Sequence, residues 1–423
     1  MIRRLRHLAL DISPLRDSRQ FRFLFIGQLI SLIGRQITVV AVPYQVYVLT
    51  HSSLRVGLLG LVQLVPFIVF SLVAGTVADQ VDRRRLLLLT QVLLAITSSL
   101  FVLGAIWGHP PLLYLYAVAG AAAGISAIDQ PTRSATVPNL VSRRQLASAV
   151  SLNFALFQLG TIAGPAIGGL VIARVGLPIA YGIDVATFGA AIAAVFLLSP
   201  QLPIGRRPES PLSAVLAGFA FLGRTPIITG GYAADLMAML LSAPRALFPA
   251  FALSVYHVGP SGLGLLYSAP GLGALAGSAL SGFIAHVRHP GRTIVYAIAG
   301  WALAITLFGL STFSIWLAVL LLALAGAADA ISAIARNTIQ QTLAPDRLRG
   351  RLSALYSMVV VGGPYLGDTR AGAVASAFSA PAAVVAGGIM CLVGCLALRL
   401  AFPEMWRYHA RGPQETAEIE PTS

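Results

Sequence analysis

Long apolar runs recur along nearly the whole chain. A run of about 20 apolar residues can cross the hydrocarbon core of a bilayer as a helix. Only 10% of the 423 residues are charged, whereas soluble domains carry roughly 25%. The sequence therefore predicts an all-α integral membrane protein and excludes a water-soluble one. Twelve spans are predicted, at 22–48, 55–79, 86–107, 112–134, 148–173, 178–199, 226–253, 261–285, 292–311, 313–335, 353–376 and 381–402.

The distribution of arginine predicts the orientation of these spans. All 29 basic residues are Arg, and cytoplasmic loops of membrane proteins are enriched in Arg and Lys. With a cytoplasmic N-terminus, all but five arginines lie in or beside cytoplasmic segments; the five are Arg35, Arg55, Arg174, Arg245 and Arg370. We therefore expect both termini in the cytoplasm. The net charge of +14 then follows from topology, and we expect no nucleic-acid partner.

Two absences restrict the possible energy sources and cofactors. Because the chain contains no Lys, it has no P-loop lysine to hold a nucleotide phosphate, which excludes ATP-driven transport by this chain alone. Cys391 and Cys395, the only cysteines, lie one helical turn apart in the last apolar run and form no metal-binding pattern. We expect neither a metal nor a cofactor.

A polar interruption at 200–225 divides the chain into two sets of six spans. It contains Pro200, Pro203, Pro208 and Pro211, and the residues after Pro211 predict a short amphipathic helix along the membrane surface. The predicted organisation is a basic leader at 1–21, a first six-helix bundle at 22–199, a linker at 200–225, a second bundle at 226–402 and a tail at 403–423.

The two sets of spans repeat each other. A shift of 203 aligns Arg133 with Arg336, and a shift of 206 aligns Pro43 and His51 with Pro249 and His257. Duplicated membrane bundles with Gly- and Pro-interrupted helices are typical of transporters that work by alternating access. We therefore predict two pseudo-symmetric six-helix bundles with the binding site between them.

The loop after the second span reads Gly-Thr-Val-Ala-Asp-Gln-Val-Asp-Arg-Arg-Arg from Gly75 to Arg85. It resembles the loop signature of the major facilitator superfamily, in which a Gly is followed four residues later by an Asp and then by a basic cluster. The resemblance implies an inner gate, formed here by Gly75, Asp79, Arg83, Arg84 and Arg133. Gln80 and Asp82 depart from the usual pattern, and the second half has only Gly282, His286 and Arg292 in the equivalent region.

The fifth span contains a glycine pattern of the kind that marks proton-driven exporters of this superfamily. The pattern consists of Gly160, Gly164, Pro165, Gly168 and Gly169. Glycine lets two helices touch and proline permits a bend, so this span is predicted to act as a sliding seal. Helix packing in a Gly-rich chain is the alternative explanation. The span at 112–134 lacks the mid-membrane Arg of many drug antiporters.

A closer resemblance extends over nearly the whole chain. Ala41-Val42-Pro43, Thr50-His51-Ser52-Ser53, the Phe-Pro at 248 and 249, and Pro364 to Gly372 are similar to the enterobactin-exporter branch of the superfamily. The resemblance implies export of an amphipathic small molecule, such as a siderophore, a drug or a peptide-like natural product. It also implies proton antiport by a monomer surrounded by the lipid of a bacterial inner membrane.

Ionisable residues inside membrane spans are candidate functional residues. The resemblance implies that the first, fourth, seventh and tenth spans line the cavity. The substrate-cavity candidates are Arg35, Asp235, Arg245, Asp329, Tyr44 and Phe157, and the proton-coupling candidates are Asp235, Asp129 and Asp184. We expect Asp235 to face Arg35 across the cavity. Asp129 lies one turn from Arg133, which favours a structural ion pair.

Two other functions are compatible with parts of the sequence. The first is an importer of the same fold. In this sequence, only the glycine pattern of the fifth span favours an exporter over an importer. An intramembrane hydrolase is a remote alternative, because the chain has no HExxH or GxSxG motif and Tyr365-Leu-Gly-Asp368 lacks the first Gly of the GxGD motif.

Overall fold

The computed structural model describes residues 11–202, 218–279 and 287–409, without the side chains at 75, 76, 78, 79, 346, 347, 349–351, 353, 354 and 357. Five predicted features lie wholly or partly outside this description. They are the first ten residues of the leader, the start of the predicted linker helix at 211–217, the end of the predicted span at 261–285, the second-half residues Gly282 and His286, and the tail beyond 409.

Long helices occur at all the predicted spans. The helices are α1 (Ser13–Asp17), α2 (Arg19–Thr50), α3 (Ser53–Gln80), α4 (Arg83–Ile106), α5 (Leu112–Leu140), α6 (Leu146–Phe196), α7 (Pro226–Val255), α8 (Gly259–Ala279), α9 (Pro290–Leu310), α10 (Ile315–Leu343), α11 (Asp346–Ala377), α12 (Ala380–Ala401) and α13 (Pro403–Arg407). Nine helices in the described residues are long and apolar enough to cross a membrane.

The longest helix, α6, covers two predicted spans. Gly176 lies within it at φ 80° and ψ 175°, values that are not helical. A non-glycine residue rarely adopts such a φ, so Gly176 marks a kink that separates two helical segments. α7 is also interrupted: its regular part ends at Ser242, and the Tyr256 N–H donates to the Phe251 carbonyl, 2.8 Å away, in one wide turn at its end.

Local residues explain several helix ends. The Ser18 hydroxyl caps α2 by accepting from the Phe21 N–H at 3.1 Å and also donates to the Leu140 carbonyl at 2.6 Å. His51 (φ 48°) and His257 (φ 54°) are the non-glycine residues with positive φ in the described part of the chain. Each histidine follows a helix, in the left-handed conformation that commonly ends one. The aligned histidines of the repeat therefore occupy equivalent backbone positions.

The chain folds into two compact units. Unit 1 comprises residues 1–51, 61–211 and 258–268, and unit 2 comprises residues 52–60, 212–257 and 269–423. Each unit thus takes one short helical segment from the other half of the sequence. The first turns of α3 belong to unit 2, and the first turns of α8 belong to unit 1.

Glycine pairs join these exchanged segments to their units. In unit 2, a methyl group on Gly57 would lie 3.0 Å from the Cα of Gly372. In unit 1, a methyl group on Gly264 would lie 3.0 Å from the Cα of Gly169. Only glycine permits such close backbone approach. Gly169 and Gly372 are related by the same shift of 203 that relates Arg133 to Arg336.

Candidate functional site

Asp129 lies inside unit 1 on α5 and is almost completely buried. Its Oδ1 accepts from the Thr90 hydroxyl at 2.8 Å and from the Gln91 amide at 2.7 Å, both on α4. Its Oδ2 lies 3.3 Å from a guanidinium nitrogen of Arg133, one turn further along α5. The ion pair expected from the sequence is therefore present, and Asp129 is held by three donors.

Arg35 lies on α2 of the same unit. The charges of Asp129 and Asp184 both act on it. Among the described residues, however, no carboxylate oxygen lies within 4.0 Å of its guanidinium. Its Nε is buried without a hydrogen-bond partner in the same part of the chain. Arg35 is therefore a cation deep in a predicted span with unused donor capacity.

Asp184 lies on the second part of α6 and is also buried in unit 1. Both of its close donors are neutral hydroxyls on Oδ2: Thr38 at 2.6 Å and Ser98 at 2.7 Å. No hydrogen-bond partner of Oδ1 is found among the described residues. A methyl group on Gly34 would lie 2.7 Å from this oxygen, so glycine at this position allows α2 to approach Asp184.

The acidic cluster of unit 2 is built around Arg336 on α10. Its guanidinium lies 2.7 Å from Oδ1 of Asp235 on α7 and 3.7 Å from Oδ1 of Asp329 on its own helix. The side chains of Asp235 and Arg336 are 2% and 3% exposed, whereas that of Asp329 is 38% exposed. We refer to Asp235, Asp329 and Arg336 as the unit 2 triad. Two carboxylates share one guanidinium here, so full ionisation leaves one excess negative charge.

Aromatic and polar groups surround the triad. The Arg336 guanidinium carbon lies 6.0 Å from the centre of the Tyr356 ring, which is 5.3 Å from the centre of the Tyr232 ring. The Tyr232 hydroxyl lies 2.9 Å from the Gln340 side-chain oxygen and 3.0 Å from the Leu352 carbonyl. Oδ2 of Asp235 has no hydrogen-bond partner among the described residues.

The remaining candidates are dispersed. Arg245 begins a short 3₁₀ turn in unit 2 and interacts electrostatically with Asp368, whose Oδ1 accepts from the Ala246 N–H at 2.9 Å. In unit 1, Tyr44 is half-buried and Phe157 is exposed at the protein surface. A membrane protein exposes such rings to lipid as well as to cargo, so their exposure does not distinguish a lipid contact from a cargo contact.

Two of the described gate residues bind backbone carbonyls. Arg83 donates to the Ala135 carbonyl at 2.8 Å, and Arg84 donates to the Phe196 carbonyl at 2.6 Å. Arg133 is engaged by Asp129, as described above. Gly75 and Asp79 lie on α3, but their side-chain surroundings are outside the described part of the structure. The role of Asp79 stays a prediction.

Asp82 makes contacts in this loop that the sequence did not indicate. Its carboxylate accepts from the Arg84 N–H at 2.9 Å, which caps α4, and from the Gln201 N–H at 2.9 Å. The Gln201 carbonyl in turn accepts from the Arg83 N–H at 3.1 Å. Asp82 therefore joins the start of α4 to the segment that follows α6, within unit 1.

The glycine pattern of the fifth span packs against α2. Methyl groups on Gly160 and Gly164 would collide with the side chains of Leu32 and Gln36, and one on Gly168 would lie 3.0 Å from the Ile37 Cα. Pro165 lies inside α6 and is buried. The fourth glycine, Gly169, contacts α8 as described above. This surface is therefore a close helix contact with no room for side chains.

The sequence analysis missed several partners of the charged residues. Arg336 was identified only as the repeat equivalent of Arg133 and not as the partner of Asp235. Thr90, Gln91, Thr38 and Ser98 were not named, although polar residues within apolar spans are themselves a signal. Among the described residues, no group of three or more His, Cys, Asp or Glu side chains is placed to hold a metal ion.

The whole chain resembles known transport proteins. Residues 9–418 match the family of transmembrane secretion effectors within the major facilitator superfamily. The chain belongs to this family. It is 33% identical over 410 residues to enterobactin exporters EntS of Shigella boydii serotype 18 and Escherichia coli O1:K1, and each alignment covers 96% of this chain and 98% of the relative. The resemblance stated from the sequence is thereby confirmed.

Solved structures confirm the fold class. The nucleoside transporter NupG superposes with a TM-score of 0.72 at 14% identity, covering 92% of this chain and 100% of that chain. A bacterial homologue of the iron transporter ferroportin superposes with a TM-score of 0.69 at 15% identity, covering 92% and 99%. At such identities the likeness establishes the fold alone. Family and fold together make this chain a multi-pass membrane transporter and not an enzyme, so the hydrolase alternative is set aside.

Proposed function

We propose that this protein exports an amphipathic small molecule across the bacterial inner membrane by proton-coupled alternating access. The full-length similarity to enterobactin exporters carries the proposal, because it extends over 96% of the chain and is not confined to one motif. Both termini face the cytoplasm in this proposal, as the arginine distribution predicts. Enterobactin is the first cargo to test.

The unit 2 triad supports proton coupling. One guanidinium cannot neutralise two carboxylates, and an uncompensated charge in a low-dielectric surrounding is costly. Binding one proton removes the excess charge. The partly exposed Asp329 gives the buried Asp235 a path for proton exchange, so the pair acts as a one-proton site whose occupancy changes with the conformation of the unit.

Arg35 supports an anionic or zwitterionic cargo. Inside a span a cation needs a partner, and the described neighbours of Arg35 leave its guanidinium without a carboxylate in direct contact. An acidic group on the cargo fits this role. The predicted meeting of Arg35 with Asp235 stays a prediction, and the described ion-pair partner of Asp235 is Arg336.

Transport in proteoliposomes tests the proposal. Purified protein is reconstituted with an imposed pH gradient, and enterobactin movement is measured in uphill transport and in equilibrium exchange. We expect Asp235→Asn to lose uphill transport and retain exchange, because exchange requires no net proton movement. Arg35→Ala is expected to weaken cargo binding in both assays.

Matched controls separate coupling from general damage. Asp17→Asn changes an exposed carboxylate at the end of α1 and should leave both assays unchanged. Uphill transport by Asp235→Asn at the wild-type rate would refute the role of the triad. Accumulation of cargo together with protons, rather than against them, would show that the protein is an importer.

A further inference from the structure

The short helix α13 is fixed to unit 2 by one buried side chain. Met405 is fully buried. A methyl group on Gly230 would lie only 2.9 Å from the Met405 sulfur. A methyl group on Gly291 would collide with the Met405 backbone. Because both neighbours are glycine, α13 lies directly on α7 and α9, and the next residue, Trp406, is held at the protein surface.

Two arginines lie against the Trp406 ring. The guanidinium carbon of Arg399 on α12 is 4.8 Å from the ring centre, and that of Arg292 on α9 is 5.5 Å from it. The Tyr296 ring packs edge-on at 5.6 Å. We refer to Arg292, Tyr296, Arg399 and Trp406 as the Trp406 cluster. Cation–π contact orients both guanidinium groups but does not neutralise them.

The Trp406 cluster has no described counterion. Within residues 11–202, 218–279 and 287–409, no carboxylate oxygen lies within 4.0 Å of Arg292 or Arg399. Glu404 is the one acid on α13 and is exposed. The pKa of His289 is lowered, first by partial burial and then by the positive charges of Arg292, His409 and Arg288. The local potential is therefore positive, and like charges held together favour an anion between them.

Exposed apolar side chains adjoin these cations. Leu396 and Leu400, on the same last turns of α12 as Arg399, are 64% and 81% exposed. In a membrane protein such side chains contact acyl chains, and Arg and Trp at a helix end lie at headgroup level. A free phosphate would use only the arginines, whereas a lipid uses the arginines and the apolar surface.

We infer that the Trp406 cluster binds the phosphate of an anionic phospholipid, with Arg292 and Arg399 on the headgroup and Leu396 and Leu400 beside an acyl chain. None of its residues is among the proposed cargo-binding or proton-coupling residues. It ties the ends of α9 and α12 to the membrane surface through one lipid.

Native mass spectrometry of the purified full-length protein tests this inference. Binding of single phosphatidylglycerol and phosphatidylcholine molecules is titrated for the wild type and for Arg292→Gln/Arg399→Gln. We expect phosphatidylglycerol affinity to fall about 25-fold, since each arginine near an anionic surface contributes about a fivefold change. Phosphatidylcholine binding should be equal in the two proteins.

Two controls make the result decisive. Arg143→Gln/Arg144→Gln removes the same charge from an exposed loop and should retain phosphatidylglycerol binding; an equal loss there would overturn the site. Displacement of the lipid by excess inorganic phosphate would show a soluble-anion site and also overturn it. If the double glutamine variant does not fold, the single variants Arg292→Gln and Arg399→Gln are titrated instead. A loss of about fivefold in phosphatidylglycerol affinity in either one supports the site, and wild-type affinity in both contradicts it.

Discussion

Removing the only cation of the unit 2 triad should destabilise the protein strongly. In Arg336→Gln, the 2.7 Å ion pair with Asp235 is lost, and that carboxylate, 2% exposed, stays behind without a cation. Breaking a buried ion pair by removing one partner costs about 3–5 kcal/mol. Removing Asp329 instead should cost under about 1 kcal/mol, because its contact is 3.7 Å long and the side chain is 38% exposed.

The same reasoning predicts a rescue. Asp235→Asn in the Arg336→Gln background removes the stranded charge, so the double variant should be more stable than Arg336→Gln alone. The free energy of unfolding of Asp235→Asn should lie between that of Arg336→Gln and that of a variant without the Asp329 carboxylate, because Arg336 still has Asp329 as a partner in Asp235→Asn. Reversible unfolding in mixed SDS and nonionic detergent micelles gives all four free energies of unfolding and hence the coupling energy.

Arg133→Gln in unit 1 is the matched control. Asp129 keeps its hydrogen bonds from Thr90 and Gln91 in that variant, so the free energy of unfolding should fall by less than in Arg336→Gln. Equal destabilisation by Arg133→Gln and Arg336→Gln would refute the idea that the triad lacks a second cation. The same conclusion would follow if Arg336→Gln/Asp235→Asn were no more stable than Arg336→Gln.

Three further substitutions and one control substitution test the packing and the gate. Gly168→Val should lower the free energy of unfolding by about 1–3 kcal/mol through overpacking against Ile37, while Gly182→Ala, with no atom within 4 Å of the added methyl, should not; equal effects would contradict the close contact. Asp82→Ala should lower it by about 1–2 kcal/mol, because two backbone N–H donors lose their acceptor, and an unchanged melting curve would contradict this. Asp79→Asn should increase labelling of a cytoplasmic cysteine probe in transport-competent membranes, and unchanged labelling would refute its proposed role in the gate.

The span positions and the repeat were predictable because their causes are local. Apolar length determines which segments cross a bilayer, and the Asp129–Arg133 pair follows from a spacing of four on one helix. The sequence aligned His51 with His257 by residue identity alone. The structure gives the physical reason, because both residues adopt positive φ at a helix end. A backbone requirement therefore underlies this part of the repeat.

The partners of Asp235 and Asp184 were not predictable because they depend on which helix faces lie together. Arg336 is 101 positions from Asp235 along the chain, and no periodicity in either segment relates them. The hydroxyls of Thr38 and Ser98 reach Asp184 from two other helices. The pairing of Asp235 with Arg35 was expected because both residues lie deep in spans that the family resemblance assigns to the cavity.

The repeat also shows where the two units diverge chemically. The arginine is retained at 133 and 336, but the acid at 129 corresponds to Ser332, which lies 3.2 Å from Arg336. In unit 1 the buried cluster contains two Arg and two Asp, namely Arg35, Arg133, Asp129 and Asp184. In unit 2, the described ion pairs of Asp235 and Asp329 are both with Arg336. An added proton therefore balances the charge only in unit 2. Under the proposed mechanism, Arg133 forms a neutral ion pair, whereas its aligned counterpart Arg336 lies beside a pair of carboxylates that can bind a proton.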